Sequence, residues 1–243
     1  MDTPYDAIPL DVVGSTQDEV RERYAGRPLL VTAERQIAGR GRRGATWVQA
    51  PRAVAASLGF TCDWPPTARP RLSLAAGLAV LAAVGGSIGL AWPNDLVVGD
   101  AKVGGLIAEA HGELVVIGLG LNLYWPAPIS GAAALGTHDP GREVADGIAG
   151  RWAGDLLRRV GSGPDGWGLD EYREASVTLG REVVWEPGGC GTAAGIDVDG
   201  GLIVDTPRGR RVLRSGSVRH VNTRGPAPEG GGSQPSHLRG GGR

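Results

Sequence analysis

A change of rhythm after Leu179-Gly180 limits what this chain can fold into. Before it, strand-like and helix-like stretches alternate. "AIPLDVV" reads as an apolar strand, and the charged stretch after it as a helix that Ser15 or Thr16 would cap. "PLLVTAERQ" and "AVAASLGFTC" read as strands flanking a loop rich in glycine and arginine. "RLSLAAGLAVLAAVGG" has helical spacing and closes on glycines, as helices do. "IGLAWPNDLVVGDAKVGGLIAEAHGELVVIGLGLNLYW" reads as successive strands joined by Gly-Asp and His-Gly turns. "REVADGIAGRWAGDLLRRV" sets Val144, Ile148, Trp152 and Leu156 on one helical face. Past residue 180 only short strands come, at close intervals ("EVVWEP", "GTAAGIDVDGGLIVDT", "RRVLRSGSVRHV"), with Asp199-Gly200 as a hairpin turn. That spacing predicts a small all-β barrel. The expected class is α+β: a mixed sheet packed with helices over residues 1–178, then the barrel over 179–221. Residues 222–243, rich in Gly and Pro, have almost nothing to bury and are expected to be disordered.

Charge excludes one class of function. Lys plus Arg (25) and Asp plus Glu (26) nearly cancel, and a nucleic-acid-binding domain would be basic. Any anion site is therefore local. Cys62 and Cys190 have neither metal-ligand spacing nor a disulfide framework, which suits a reducing cytoplasm. The first residues lack the basic start and apolar core of a signal peptide. The apolar run near residues 72–90 is broken by four glycines, so it reads as a buried helix and not a membrane span.

Cations concentrate in "GRGRRGATW", residues 39–47. Alone, such a run is commonly a solvated turn. Yet its glycines allow a flexible strap, and guanidinium forks match carboxylate and phosphate oxygens. Three more polar groups interrupt apolar strands. Asn94 and Asp95 come after Trp92-Pro93, and a proline cannot sit in a central ladder. Lys102 starts a strand whose Gly104-Gly105 pair removes side chains where a ligand or backbone approaches. Asn122 stands alone among leucines. No Ser-His-Asp or Cys-His set is apparent, and the four histidines are scattered, so no protein-held metal is expected. Positive charge with little else suits a reaction between two anions, such as a carboxylate attacking a nucleotide phosphate.

"GSTQDE", "ERQIAGRGRRGATW", "AWPNDLVVGDAKVGGLIAE" and "IGLGLNL" together resemble, in order, the motif set of biotin protein ligases. The resemblance runs from about Val13 to His220 and implies a catalytic α/β domain followed by an SH3-like barrel. It implies biotin and ATP as substrates, with Mg²⁺ on the ATP. It implies that Ser15, Thr16, Gln17 and Gln36 bind the biotin ring system, with Gly104 and Gly105 approaching its ureido edge. Arg40, Gly41 and Arg42 would lie on the loop that orders over biotin and the adenylate, with Arg43 beside them. Lys102 would bind the biotin carboxylate and α-phosphate oxygens and, with Arg42, carry the catalysis. Trp47, Asn94 and Asn122 would build the nucleotide side, while Trp92 packs in the core.

The acceptor implied is a lysine on a biotin carboxyl carrier protein domain, with the enzyme a monomer or homodimer in the cytoplasm. Some members carry an N-terminal DNA-binding helix-turn-helix. Here the Ser-Thr motif begins at residue 15, so a form without one, binding no DNA, is expected. Ala91, Ala45 and Gln17 depart from the lysine, arginine and asparagine usual in the family. Two alternatives stand beside this reading: a lipoate or octanoate ligase or transferase of the same superfamily, and a non-enzymatic nucleotide- or RNA-binding module. A low aromatic content (5%) and near-zero net charge disfavour the last.

Overall fold

The strands β1 (Asp6–Val13) and β2 (Leu29–Gln36) run parallel, and α1 (Thr16–Arg23) makes the crossover that parallel pairing requires. This computed structural model describes residues 3–86 and 88–221; the expected disordered tail lies outside the described residues. After the arginine loop come β3 (Arg52–Thr61) and the long helix α2 (Arg71–Val84), closed by Gly85 at φ 65°. The meander β4 (Gly89–Ala91), β5 (Asp95–Val98), β6 (Ala101–His111) and β7 (Leu114–Tyr124) comes next. Its strands pair antiparallel, giving one mixed sheet ordered β1-β2-β3-β7-β6-β5-β4. Pro93 falls in the turn between β4 and β5, off the ladder, as expected.

The two faces of the sheet are covered unequally. On one, α2 packs with α3 (Arg142–Gly161) over the main core, where Leu78, Trp152 and Leu156 are fully buried. Val144, expected on the buried face of α3, is exposed. The buried stripe is Ala145, Ile148, Ala149, Trp152 and Leu156, so Ile148, Trp152 and Leu156 lie on the expected face and Ala145 takes the place of Val144. On the other face, α1 covers only a corner. Val20 packs with Leu29, Val31 and Val116 and sits on Gly59, where a β-carbon would come within 2.4 Å of Val20 Cγ1. The rest of that face is left open, and it is there that the cleft forms.

A short helix not anticipated from sequence, α4 (Leu169–Ala175), leads to the second sheet. Its strands are β8 (Glu182–Trp185), β9 (Gly189–Ile196), β10 (Leu202–Thr206), β11 (Gly209–Leu213) and β12 (Val218–His220). They pair antiparallel in the order β11-β10-β9-β8-β12, with the Asp199-Gly200 turn between β9 and β10 as expected. No ladder joins β11 to β12 among the described residues, so the sheet is open where a closed barrel was expected. The three-residue β12 spends its backbone on β8 and its His220 side chain on Thr178, just before the sheet. Both cysteines are free thiols, and among the described residues no helix is long and apolar enough to cross a membrane.

Candidate active site

The floor of the cleft is set by strand parity. Side chains of every second residue face one side of a sheet. In register, Ser57 of β3 lies beside Gly118 of β7 and Ile107 of β6; the next row holds Gly120, Gly105 and Asp95. Gly118 in one row and Gly105 and Gly120 in the other lower the floor between these side chains, where a cavity of about 270 Å³ opens. Its walls are the start of α1, the arginine loop and Gly216 and Ser217, from the connection that precedes the last strand of the second sheet, β12.

At one end the groups are neutral and polar. Ser15 occupies the N-cap of α1, but its side chain makes no capping bond; it faces the cleft. The first-turn amide of Thr16 donates instead to Gln36 Oε1 at 2.9 Å, and Thr16 Oγ1 reaches the same oxygen at 3.1 Å. These two bonds fix the Gln36 amide and leave its Nε2 as a donor. Ser57 Oγ, fully buried, lies 2.8 Å from Thr16 Oγ1. Gln17 is buried too, and its Nε2 has no hydrogen-bond partner among the described residues. An unpaired buried amide is costly, and this one borders the cleft.

Charge gathers at the other end. Lys102 Nζ pairs with Asp95 Oδ1 at 2.6 Å, with both side chains more than a third exposed to the cleft. Asn94 donates to the Leu106 carbonyl at 2.9 Å and accepts from Arg42 Nη1 at 2.9 Å. Arg42 Nη1 also donates to the Gly216 carbonyl, at 3.4 Å. Burial, then the neighbouring Arg43 charge, lower the Arg42 pKa from its usual value, while Asp95 raises it. Such a half-buried cation is poised to take an anion. Trp47 lies over Gly120, where a β-carbon would come within 2.6 Å of its ring; its indole Nε1 has no partner among the described residues.

Twelve of the fourteen candidate positions therefore line one cavity, and Gly104 and Asn122 do not. Gly104 faces the opposite way: a β-carbon there would sit 2.5 Å from the Gly120 carbonyl oxygen. Asn122 is buried and donates to the Ala133 carbonyl at 2.9 Å, holding the segment that bonds both backbone groups of Lys102. Its influence on the cleft runs through that segment. Arg40 lines the cavity but is engaged by Asp18, at 2.6 and 2.9 Å in a bidentate pair. Sequence reasoning missed Asp18, Ser57, Asp95, Gly118, Gly120 and Gly216 as site members. The alternation Gly118-x-Gly120 was a readable sign of an emptied strand face; nothing local marks Asp18 or Gly216.

The sequence profile described as "Biotin/lipoate A/B protein ligase family" matches residues 10–122. A Mycobacterium tuberculosis protein, "Biotin–[acetyl-CoA-carboxylase] ligase", is 36% identical across 87% of this chain and 89% of its own length. A like-named protein of Paracoccus denitrificans is 31% identical across 77% of this chain and 88% of its own. Among solved structures, the biotin protein ligase from Aquifex aeolicus in complex with biotin and ATP superposes with TM-score 0.75. It is 25% identical, covering 89% of this chain and 99% of that one.

Proposed function

The chain belongs to the biotin protein ligase family, and we propose that its cleft binds biotin beside ATP and biotinylates a carrier protein in two steps. The activity is that of a biotin–[acetyl-CoA-carboxylase] ligase. First, the biotin carboxylate oxygen attacks the α-phosphorus of ATP; an acyl C–O–P anhydride forms and pyrophosphate leaves. Then the ε-amine of a carrier lysine attacks the acyl carbon, an amide forms, and AMP leaves.

One observation carries the reading: a cleft with three glycines in its floor that runs from neutral hydrogen-bonding groups to a cluster of cations. A cyclic urea needs both donors and acceptors, and Ser15, Thr16, Gln17 and Gln36 offer both at the neutral end. Gly105 lets the ligand lie against the strand. Its tail would point to Lys102, where the carboxylate and α-phosphate each gain a charge-assisted bond. Arg40, Arg42 and Arg43, with Gly41 between the first two, offset the charge of two approaching anions. Trp47 and Asn94 would flank the nucleotide, and Asn122 would support that side through the segment it holds.

Among the described residues no three carboxylate, His or Cys side chains are placed to hold a metal ion, and Asp95 is engaged by Lys102. Mg²⁺ is thus proposed to arrive on the ATP phosphates, as part of the substrate. For the second sheet we propose a separate domain, residues 179–221, after a catalytic domain over 1–178. Its strand order sets the last strand beside the first, an order from which a small SH3-like barrel closes. A cytoplasmic location is proposed with it.

Labelled biotin, ATP and a carrier domain test the whole reading. Label on the carrier lysine is expected; no ATP-dependent label would overturn it.

A further inference from the structure

Nearly every described arginine is engaged within the protein. Among the described residues, the guanidinium groups of Arg35, Arg208, Arg211 and Arg219 alone make no hydrogen bond or ion pair. Three of these four lie in the second sheet, and Arg208 and Arg211 belong to one hairpin, β10 and β11 with the turn between them. The two charges are left uncompensated in a chain whose acidic and basic residues nearly cancel. Their neighbours are answered: Arg210 by Asp205, and Arg214 by Asp197 and Asp199.

The strand that carries Arg211 is an edge. β11 pairs with β10 on one side and, among the described residues, with no strand on the other; all of it but Leu213 is exposed. In register with β10, Leu213 stands opposite Leu202 and Arg211 opposite Val204, and both partners are fully buried. Arg211 thus carries the row of the inner face out to the open edge. The same edge leads to the cleft. Gly216, which lines the cavity with Ser217, is three residues past the end of β11, a span of at most about 11 Å.

An unpaired edge offers backbone donors and acceptors to any extended chain, and side-chain charge decides which chain it accepts. A second copy, pairing edge to edge, would set these arginines against one another. The chain's own residues 222–243 hold three arginines and one acidic side chain, so they fit no better. An acidic strand meets neither objection.

We propose that β11 is the docking edge for the carrier protein. An acidic extended segment of the carrier pairs with β11 as a sixth strand, its carboxylates meet Arg208 and Arg211, and its acceptor lysine is brought to the cleft. This rests on the carrier biotinylation proposed above, and adds where on the enzyme the carrier sits and what chemistry it presents.

The test separates docking from chemistry in the full chain. Biotin-dependent pyrophosphate exchange needs no carrier, whereas transfer is followed as label on a biotin carboxyl carrier protein domain at varied concentration. In the double variant Arg208→Glu, Arg211→Glu the KM for the carrier domain should rise at least about tenfold, because four units of charge change sign or vanish at the rim of the encounter. Its kcat, its KM for biotin and its pyrophosphate exchange should match the wild type, and the last also reports that the variant folds. Added salt should raise the carrier KM of the wild type more steeply than that of the variant. Hydrogen exchange over residues 209–213 of the wild type should slow when the carrier domain is added. An unchanged carrier KM in a variant that exchanges pyrophosphate would overturn the proposal, as would unchanged hydrogen exchange along β11. So would a wild type that self-associates by light scattering and a variant that does not, since the edge would then be a contact between copies. No pyrophosphate exchange in the wild type would count against the activity itself.

Discussion

Gly104 and Gly105 show how far a sequence carries an argument about single residues. The pair was legible as a place of close approach, because two adjacent glycines in a strand leave room on both faces. Which glycine faces the ligand was not legible, since parity depends on the register of β6 with β5 and β7, and those partners are set by the whole sheet. Gly104→Ala would push a methyl group to 2.5 Å from the Gly120 carbonyl oxygen and 3.0 Å from Leu96 Cδ1. Overpacking of that kind costs about 1–3 kcal/mol, so a lowered Tm is expected. Gly105→Ala meets nothing nearer than Lys102 Cε at 3.4 Å, so the protein should keep its Tm and show a raised KM for biotin. Equal Tm losses in the two variants would contradict this division. Lys102 itself was legible from its isolation, but Asp95, two residues beyond the readable Pro93, was not recognised as its counter-ion. Lys102→Ala removes charge-assisted contacts worth about 1.5–3 kcal/mol each, and pyrophosphate exchange should fall at least tenfold to a hundredfold with the fold intact.

At the scale of one element, the arginine loop is less free than its glycines suggest. Residues Arg42–Gly44 form one 3₁₀ turn, with Arg43 at φ 56°, a region few side chains adopt. Its arginines are held by three different parts of the molecule. Arg40 is bound by Asp18 of α1; Arg42 by Asn94 and the Gly216 carbonyl; Arg43 lies 3.9 Å from Glu186 after β8. The basic strap was plain in the sequence, whereas these anchors come from segments 22 to 174 residues away and leave no local trace. Arg42 is the member aimed at the charged end of the cleft, so its proposed task is to retain the adenylate. In Arg42→Gly the adenylate should still form, because Arg40 and Lys102 remain. Losing one contact of about 1.5–3 kcal/mol should speed its dissociation roughly tenfold to a hundredfold. Biotin, ATP and an unrelated lysine-rich protein provide the measurement. Bystander labelling should rise well above the wild type; equal, low labelling would mean that Arg42 does not hold the intermediate.

Over the whole molecule, the two sheets are joined by a seam of polar contacts that neither half announces. The run of short strands that forms the second sheet was legible from its spacing; the seam was not, because its members are single residues scattered from Arg71 to His220. Arg71 reaches Asp199 at 2.5 Å, and Trp92 Nε1 donates to the Gly200 carbonyl at 2.9 Å. The Trp92 amide donates to Thr178 Oγ1 at 2.9 Å, and His220 Nε2 lies 3.1 Å from the same oxygen. Arg181 Nη1 approaches the other ring nitrogen, Nδ1, at 3.4 Å. A guanidinium only donates, so Nδ1 accepts and the neutral ring carries its proton on Nε2, toward Thr178. Protonating Nδ1 would set two donors against each other. Burial first, and the Arg181 charge second, lower the His220 pKa from its ordinary 6.5, against the pull of Asp100 and Asp95. In the unfolded chain the ring takes up its proton near the ordinary value; folded, it resists until lower pH. The unfolded state therefore binds more protons across that window. The stability that His220 contributes is fully present above about pH 6.5 and is lost as pH falls toward the folded value. Tm measured from about pH 8 down to about pH 5 should decline for the wild type, and less for His220→Gln, which keeps a polar group in the seam but cannot titrate. Parallel declines in the two proteins would place the pH sensitivity elsewhere than in this histidine.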